Sequence, residues 1–215
     1  MINLNVNTGD KKFIFNLGRI FARGEQVHIL NKDDVDKKIR EELNLGYAKS
    51  FNMMIKFWQD NNFSPNIFTG EKNESNIFLI CPVRRATKNE KNILTETIAK
   101  YEQMGMHVHY PERDTNQNPV VDGTNTGGYN ICLQNATAIA ASSAVALYYN
   151  PQSVGSMFDL GVTYELAQQD PSRMFFLENE IELDENNYIE KMILTLLKGQ
   201  NIVAKDVDGL SSQPQ

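Results

Sequence analysis

Asn150-Pro151-Gln152-Ser153-Val154-Gly155-Ser156-Met157-Phe158-Asp159-Leu160-Gly161 is the stretch on which the fold of this chain turns. It follows an apolar run, Ala144 to Tyr149, and leads into a helical pattern that continues to Gln169. The first turn of a helix leaves backbone N–H groups without partners, and its dipole favours negative charge there, so a Ser/Gly-rich turn at such a junction can hold an anion. Asp159 falls within that first turn and faces the same crevice. In open α/β sheets ligands bind outside the carboxyl ends of the strands. A carboxylate beside a phosphate cradle points to chemistry on a nucleotide, although an acid near a helix N-terminus is also stabilised by the dipole alone.

Working outward, strand and helix patterns alternate. Ile77 to Pro82 is a continuous apolar run, as expected of a parallel strand buried on both faces. Thr87 to Met104 reads as a helix, N-capped by Thr87 with Glu90 completing a capping box and Gly105 ending it. Met106 to Tyr110 reads as strand, Pro111 to Gly128 as a long loop, Tyr129 to Ala141 as helix, Ala144 to Tyr149 as strand and Met157 to Gln169 as helix. Arg173 to Leu177 is a further strand, Asn187 to Leu197 a helix, and Asn201 to Ala204 a short final strand. This alternation predicts an α/β fold with a doubly wound, flavodoxin- or Rossmann-like parallel sheet of about five strands and helices on both faces.

The first 75 residues read as a small α+β N-terminal extension, followed by the α/β domain over 76–205 and a flexible tail over 206–215. Residues 12–16 and 26–30 are short β-like runs set off by Gly18 and Gly24, which suits a hairpin or two edge strands. Asp33 to Asp60 is helical in period, with Gly46 dividing it. Asn61 to Ser75 is a connector.

The 215 residues carry a net charge of −6, with 41% hydrophobic and 22% charged residues. These proportions are ordinary for a globular protein, and without a basic run they argue against a nucleic-acid polymer as partner. Free nucleotides need only one or two local cations. Cys81 and Cys132 lie in apolar segments without a CxxC partner, so both are expected to be buried and reduced. His107 and His109 share one face of a strand, but no third metal ligand accompanies them. The N-terminus has no apolar h-region, and no run of about 18 apolar residues occurs. A cytoplasmic location with no membrane partner, no metal and no cofactor is therefore expected.

Three loops follow strands and gather at one end of the sheet. The first holds Arg84 and Arg85 before the Thr87 cap, where a planar guanidinium can grip a phosphate or carboxylate. The second, from Pro111, offers Arg113 and Asp114 for recognising a base or sugar, with Tyr110 at the strand end available for stacking. The third supplies Ser153, Gly155, Ser156 and Asp159. Glu165, well around the helix from Asp159, is expected to face solvent. No P-loop, nucleophile elbow or dinucleotide glycine fingerprint is present.

From about residue 76 to 178 the sequence resembles the nucleoside 2-deoxyribosyltransferase-like superfamily, which includes the 2'-deoxynucleoside 5'-phosphate N-hydrolases. The resemblance is carried by Ile80-Cys81-Pro82-Val83-Arg84, by Gln134-Asn135, and above all by Ser153 to Gly161 with Tyr164 following. It implies that Asp159, at the position of the family's catalytic Glu, is the nucleophile of a retaining mechanism. Ser153 matches the serine with which the N-hydrolases contact a 5'-phosphate, where the transferases carry an aspartate. Arg84 or Arg85 would assist. The resemblance thus implies an N-glycosidic-bond enzyme, hydrolase or glycosyltransferase, acting on a nucleoside 5'-monophosphate or related nucleotide as a homo-oligomer. Two departures stand out: Asp159 is one methylene shorter than Glu, and Asn135 replaces the aspartate that helps the base depart. They leave open a catalytically weak or inactive nucleotide-binding sensor or sequestering protein of the same fold.

Overall fold

In the computed structural model, which describes residues 1–41, 47–67, 72–84, 86–117 and 127–199, strands and helices alternate from the first residues onward. The order is β1 (Ile2–Leu4), α1 (Lys11–Ala22), β2 (Val27–Ile29), α2 (Lys32–Glu41), α3 (Tyr47–Asp60), β3 (Asn73–Ile80), α4 (Lys88–Gln103) and β4 (His107–His109). It continues with α5 (Pro111–Asp114), α6 (Gly127–Ala140), β5 (Ser142–Leu147), α7 (Val154–Gln169), β6 (Met174–Leu177) and α8 (Tyr188–Gly199). Four strands form a parallel sheet in the order β4-β3-β5-β6, and β1 and β2 pair parallel in a separate two-stranded sheet. The fifth strand expected at 201–204 and the tail over 206–215 lie outside the described residues, as does Gly46.

Both faces of the four-stranded sheet are covered. Ile77 and Leu79 of β3 join Ala144, Ala146 and Phe176 in a core with Leu94, Ile98 and Tyr101 of α4, while Phe78 and Ile80 join Val145, Leu147 and Phe175 in a larger core with α1, α3, α6, α7 and α8. This two-sided burial is why Ile77 to Ile80 of β3 and Ala144 to Leu147 of β5 are apolar runs and not alternating ones. α4 begins as its sequence dictates: Thr87 Oγ1 accepts from the Glu90 N–H at 3.2 Å and Glu90 Oε2 accepts from the Thr87 N–H at 2.7 Å. It ends before Gly105, whose φ of +83° is open to glycine at little steric cost.

Residues 12–16 are not a strand. Phe13, Ile14 and Phe15 form a β-like triplet only in isolation; Ile14, Phe15, Leu17, Gly18 and Phe21 are one buried helical face, N-capped by Asp10, whose side chain accepts from the Lys12 N–H at 2.9 Å. That face lies on α7. A Cβ on Gly161 would sit 1.9 Å from the Phe15 carbonyl oxygen, and one on Gly18 would sit 2.1 Å from the Phe158 carbonyl oxygen, so the two backbones touch through paired glycines. The hydrophobic core accordingly continues across residue 75. Phe21 of α1 meets Trp58 of α3, Tyr129 of α6 and Phe158 of α7, with ring centroids 5.0, 5.5 and 5.4 Å away.

Glu165 does not face solvent. It is buried on α7 and paired with Arg19 at 3.0 Å and Arg23 at 3.6 Å, both from the α1 region. The helical spacing does carry Glu165 well around α7 from Asp159, but the surface it turns toward is occupied by α1. Among the described residues no helix is long and apolar enough to cross a membrane.

Candidate active site

The chain leaves β3 toward β4 on one side and leaves β5 toward β6 on the other, so the loops after these neighbouring strands diverge. Such a divergence opens a crevice at the carboxyl ends. A cavity of about 700 Å³, its open mouth included, occupies it. The turn after β3 contributes Cys81, Val83 and Arg84; the turn after β5 and α7 contribute Ser153, Gly155, Ser156, Phe158 and Asp159. Gly128, Ile131, Cys132 and Asn135 of α6 form another wall, Pro111 and Gln117 the rim after β4, and Ser50 and Phe51 of α3 close it from the N-terminal side. The α3 contribution was not legible in the sequence, where Phe51 is one apolar residue in a helical stripe.

Asp159 lines this cavity from the second turn of α7, not the first turn expected for it, because the helix already begins at Val154; it is 7% exposed. Burial raises its carboxyl from the ordinary carboxylate range to about 7, opposed by the Asn135 side chain. Asn135 Nδ2 donates toward both carboxylate oxygens at 3.2 Å. Behind it, Thr115 Oγ1 donates to Asn135 Oδ1 at 2.8 Å and contacts His109 Nε2 at 3.0 Å. Thr115 escaped sequence reasoning because only the fold brings the end of one loop to the middle of α6.

Ser153 is the N-cap of α7, yet its hydroxyl caps no backbone N–H; it accepts instead from Ser156 Oγ at 2.8 Å. Both serines are buried, and Gly155 between them leaves open space where a side chain would stand. The first-turn N–H groups of α7 thus lack a side-chain cap beside two hydroxyls, an arrangement suited to phosphate or carboxylate oxygens. The turn is braced from α4: Asn150 Nδ2 donates to Glu90 Oε1 at 2.9 Å, and the Asn150 carbonyl accepts from the Ser153 N–H at 2.9 Å. Arg84 borders the same cavity and donates to the Gln117 carbonyl at 2.8 Å.

Tyr110, Arg113 and Asp114 are not brought to the cavity. The start of the expected loop is the short helix α5, which turns these side chains onto one another and onto α4. Arg113 pairs with Asp114 at 2.8 Å and Glu102 at 3.0 Å, Asp114 accepts from the Tyr110 N–H at 2.8 Å, and the Tyr110 hydroxyl donates to Glu112. Arg85 and residues 118–126 lie outside the described residues. Cys81 and Cys132 are unpaired and buried at the cavity wall, and burial pushes both thiols up. Among the described residues no cluster of three His, Cys, Asp or Glu is placed to hold a metal.

The assembled site has one buried carboxylate held by an amide, a pair of hydroxyls at a helix N-terminus, an arginine at the border, and apolar walls of Phe51, Ile131 and Phe158. A carboxylate so placed can act as a nucleophile when ionised and as an acid when protonated. Comparison with protein-family models, with curated proteins and with solved structures finds no match for this chain.

Proposed function

We propose that this protein breaks or transfers the N-glycosidic bond of a nucleoside 5'-monophosphate or related nucleotide, as a divergent relative of the nucleoside 2-deoxyribosyltransferase-like superfamily. The observation that carries the reading is the convergence of Asp159, Asn135, Ser153, Gly155, Ser156 and Arg84 on one cavity at the carboxyl ends of adjacent parallel strands. In this reading a doubly wound sheet presents the α7 N-terminus, Ser153 and Ser156 to the phosphate, with Arg84 adding charge. An Asp159 oxygen then attacks the anomeric carbon as the carbon–nitrogen bond breaks and its electron pair leaves with the base, which takes a proton from solvent. Water attacking the glycosyl ester restores the carboxylate, and an incoming base in place of water gives transfer. Asn135 orients the nucleophile and has no proton to give at neutral pH. A cytoplasmic location and a homo-oligomeric state belong to the same proposal.

Incubation with a panel of nucleoside 5'-monophosphates and the parent nucleosides, followed by chromatography for free base, tests it. Because the nucleophile must be ionised, base release should rise about tenfold per pH unit below about 7 and level off above. No free base from any member of the panel across that range would end the reading. Ser153→Asp places a second negative charge where the phosphate would sit; it should weaken monophosphate binding about tenfold or more, roughly 1.4 kcal/mol, and spare the nucleosides, as titration calorimetry would record. Equal losses for both ligand types would remove Ser153 from the phosphate site.

One observation favours a second reading, a nucleotide-binding sensor or sequestering protein. Among the described residues Asp159 is the sole carboxylate lining the cavity, so while it serves as nucleophile no second carboxyl among them can protonate a departing base. Ligand recovered intact after denaturation, from protein that it had stabilised against heat, would select this reading.

A further inference from the structure

Asp159 is the inner end of a hydrogen-bond chain that leaves the cavity through three more side chains. Asn135 Nδ2 lies 3.2 Å from each Asp159 oxygen, Thr115 Oγ1 lies 2.8 Å from Asn135 Oδ1, and His109 Nε2 lies 3.0 Å from Thr115 Oγ1. These links join α7, α6, the segment after α5 and β4. Thr115 and Asn135 are buried at 4% and 7% exposure, where a hydrogen bond left unmade is expensive.

The inventory of donors and acceptors gives the chain a direction. An ionised carboxylate only accepts, so Asn135 must present its NH2 inward and its Oδ1 outward. Thr115 has one hydroxyl proton and gives it to that oxygen. Its own oxygen then accepts from His109, so His109 Nε2 carries a hydrogen. A second arrangement satisfies every link with Asp159 protonated: the carboxyl donates to Asn135 Oδ1, the reversed amide donates to Thr115, and Thr115 donates to His109 Nε2 with the ring proton on Nδ1. Ionised Asp159 therefore fixes one direction along the chain, whereas protonated Asp159, which can both donate and accept, also allows the reverse.

We propose that His109 is a positioning residue for Asp159: by donating from Nε2 through Thr115, it fixes the Asn135 amide with its hydrogens toward the carboxylate and so favours the ionised nucleophile. The ring is oriented for this by stacking on Phe78, with centroids 5.1 Å apart and planes 13° from parallel. The charges around the chain do not do this work in its place. Asp159 faces the thiols of Cys81 and Cys132, with Arg84 on the same cavity, and His109 faces His107, Arg113 and Asp114, whose charges oppose one another. Burial lowers the His109 imidazole below its ordinary value, so the neutral Nε2–H form serves at neutral pH, and a protonated ring would donate from the same nitrogen.

The proposal deepens the nucleophile reading and rests on it for its catalytic meaning, but its test reads ionisation and not turnover. The pH midpoint of Asp159 is taken from the difference in melting temperature between otherwise identical proteins with and without Asp159→Asn, in wild-type, Thr115→Val, Thr115→Ser and His109→Phe backgrounds. Thr115→Val should raise the midpoint by about one pH unit, a tenfold change in proton affinity, and His109→Phe should raise it in the same direction. Thr115→Ser keeps the hydroxyl and should leave it in place. An unmoved midpoint in both folded variants, or an equal displacement in Thr115→Ser, overturns the proposal. Should Thr115→Val and His109→Phe not fold, nitrogen NMR of histidine-labelled wild type decides. A proton on Nε2 above the Asp159 midpoint supports the assignment, and the Nδ1–H tautomer there overturns it. A shifted midpoint in a protein that releases no base would refute the N-glycosidic reading and leave this one standing; base release with an unmoved midpoint would do the reverse.

Discussion

Asp159→Asn is expected to stabilise the folded protein at pH 8 and above by up to roughly 4 kcal/mol, while changing its stability little near pH 4. The sign follows from where the proton sits. With its native carboxyl raised to about 7 against an ordinary value of 3.8, Asp159 keeps a proton in the folded state between about pH 4 and 7 that the unfolded chain has released. Stability therefore falls as pH rises through that window, and above it the folded protein bears the full desolvation of a buried anion. Asparagine has the same shape, can still meet the Asn135 amide, and never carries the charge. For a chain of this length the gain corresponds to about 10 °C in melting temperature. The same variant should release no base, since an amide cannot form the glycosyl ester. A variant less stable than wild type at pH 8 would mean that Asp159 is solvated in the folded protein, and would sink the account of a buried, desolvated carboxylate.

Gly161→Ala is the second large effect, and it acts through the backbone. The new methyl would lie 1.9 Å from the Phe15 carbonyl oxygen, a contact that no rotamer change relieves because both partners are main chain. Alanine is favoured over glycine in a helix by about 1 kcal/mol, but overpacking of a rigid core costs about 1–3 kcal/mol and occasionally more, and a main-chain contact this short, which forces two helices apart, stands at or above the top of that range. The expected net loss is about 2 kcal/mol or more, a melting temperature lower by at least roughly 5 °C. Gly18→Ala should behave alike, its methyl meeting the Phe158 carbonyl oxygen at 2.1 Å. Calorimetry of the single variants checks this, and melting temperatures within a degree of wild type would show that α1 and α7 do not touch through these glycines.

The same glycines mark the limit of what the sequence discloses. Glycine usually punctuates, so in the sequence Gly18 reads as a break between two short strands, whereas here it lets one helix reach another. Only α7, some 140 residues on, supplies the surface that explains it. Where the information is local the reading succeeds: the Thr87–Glu90 box starts α4, and the two-sided apolar runs are β3 and β5. Asp159, Asn135, Ser153, Gly155, Ser156 and Arg84 do share a cavity, since strand-to-helix turns in a parallel sheet necessarily gather at one end. Arg113 and Asp114 fail the same argument because neighbouring opposite charges satisfy each other before they reach a ligand. Thr115 and Ser50 carry no signal in one dimension, and His109 shows there only as one of two histidines on a strand face; each matters through what the fold sets beside it.

The α1–α7 seam also sets a waiting time during synthesis. About 140 residues separate the two glycines, so at translation rates of about 5–20 residues per second the apolar face of α1 emerges roughly 7–30 seconds before its cover exists. Throughout that interval Phe15, whose ring partners Tyr164 and Tyr188 are not yet made, is a hydrophobic surface on a nascent chain, open to chaperones and to the wrong neighbours.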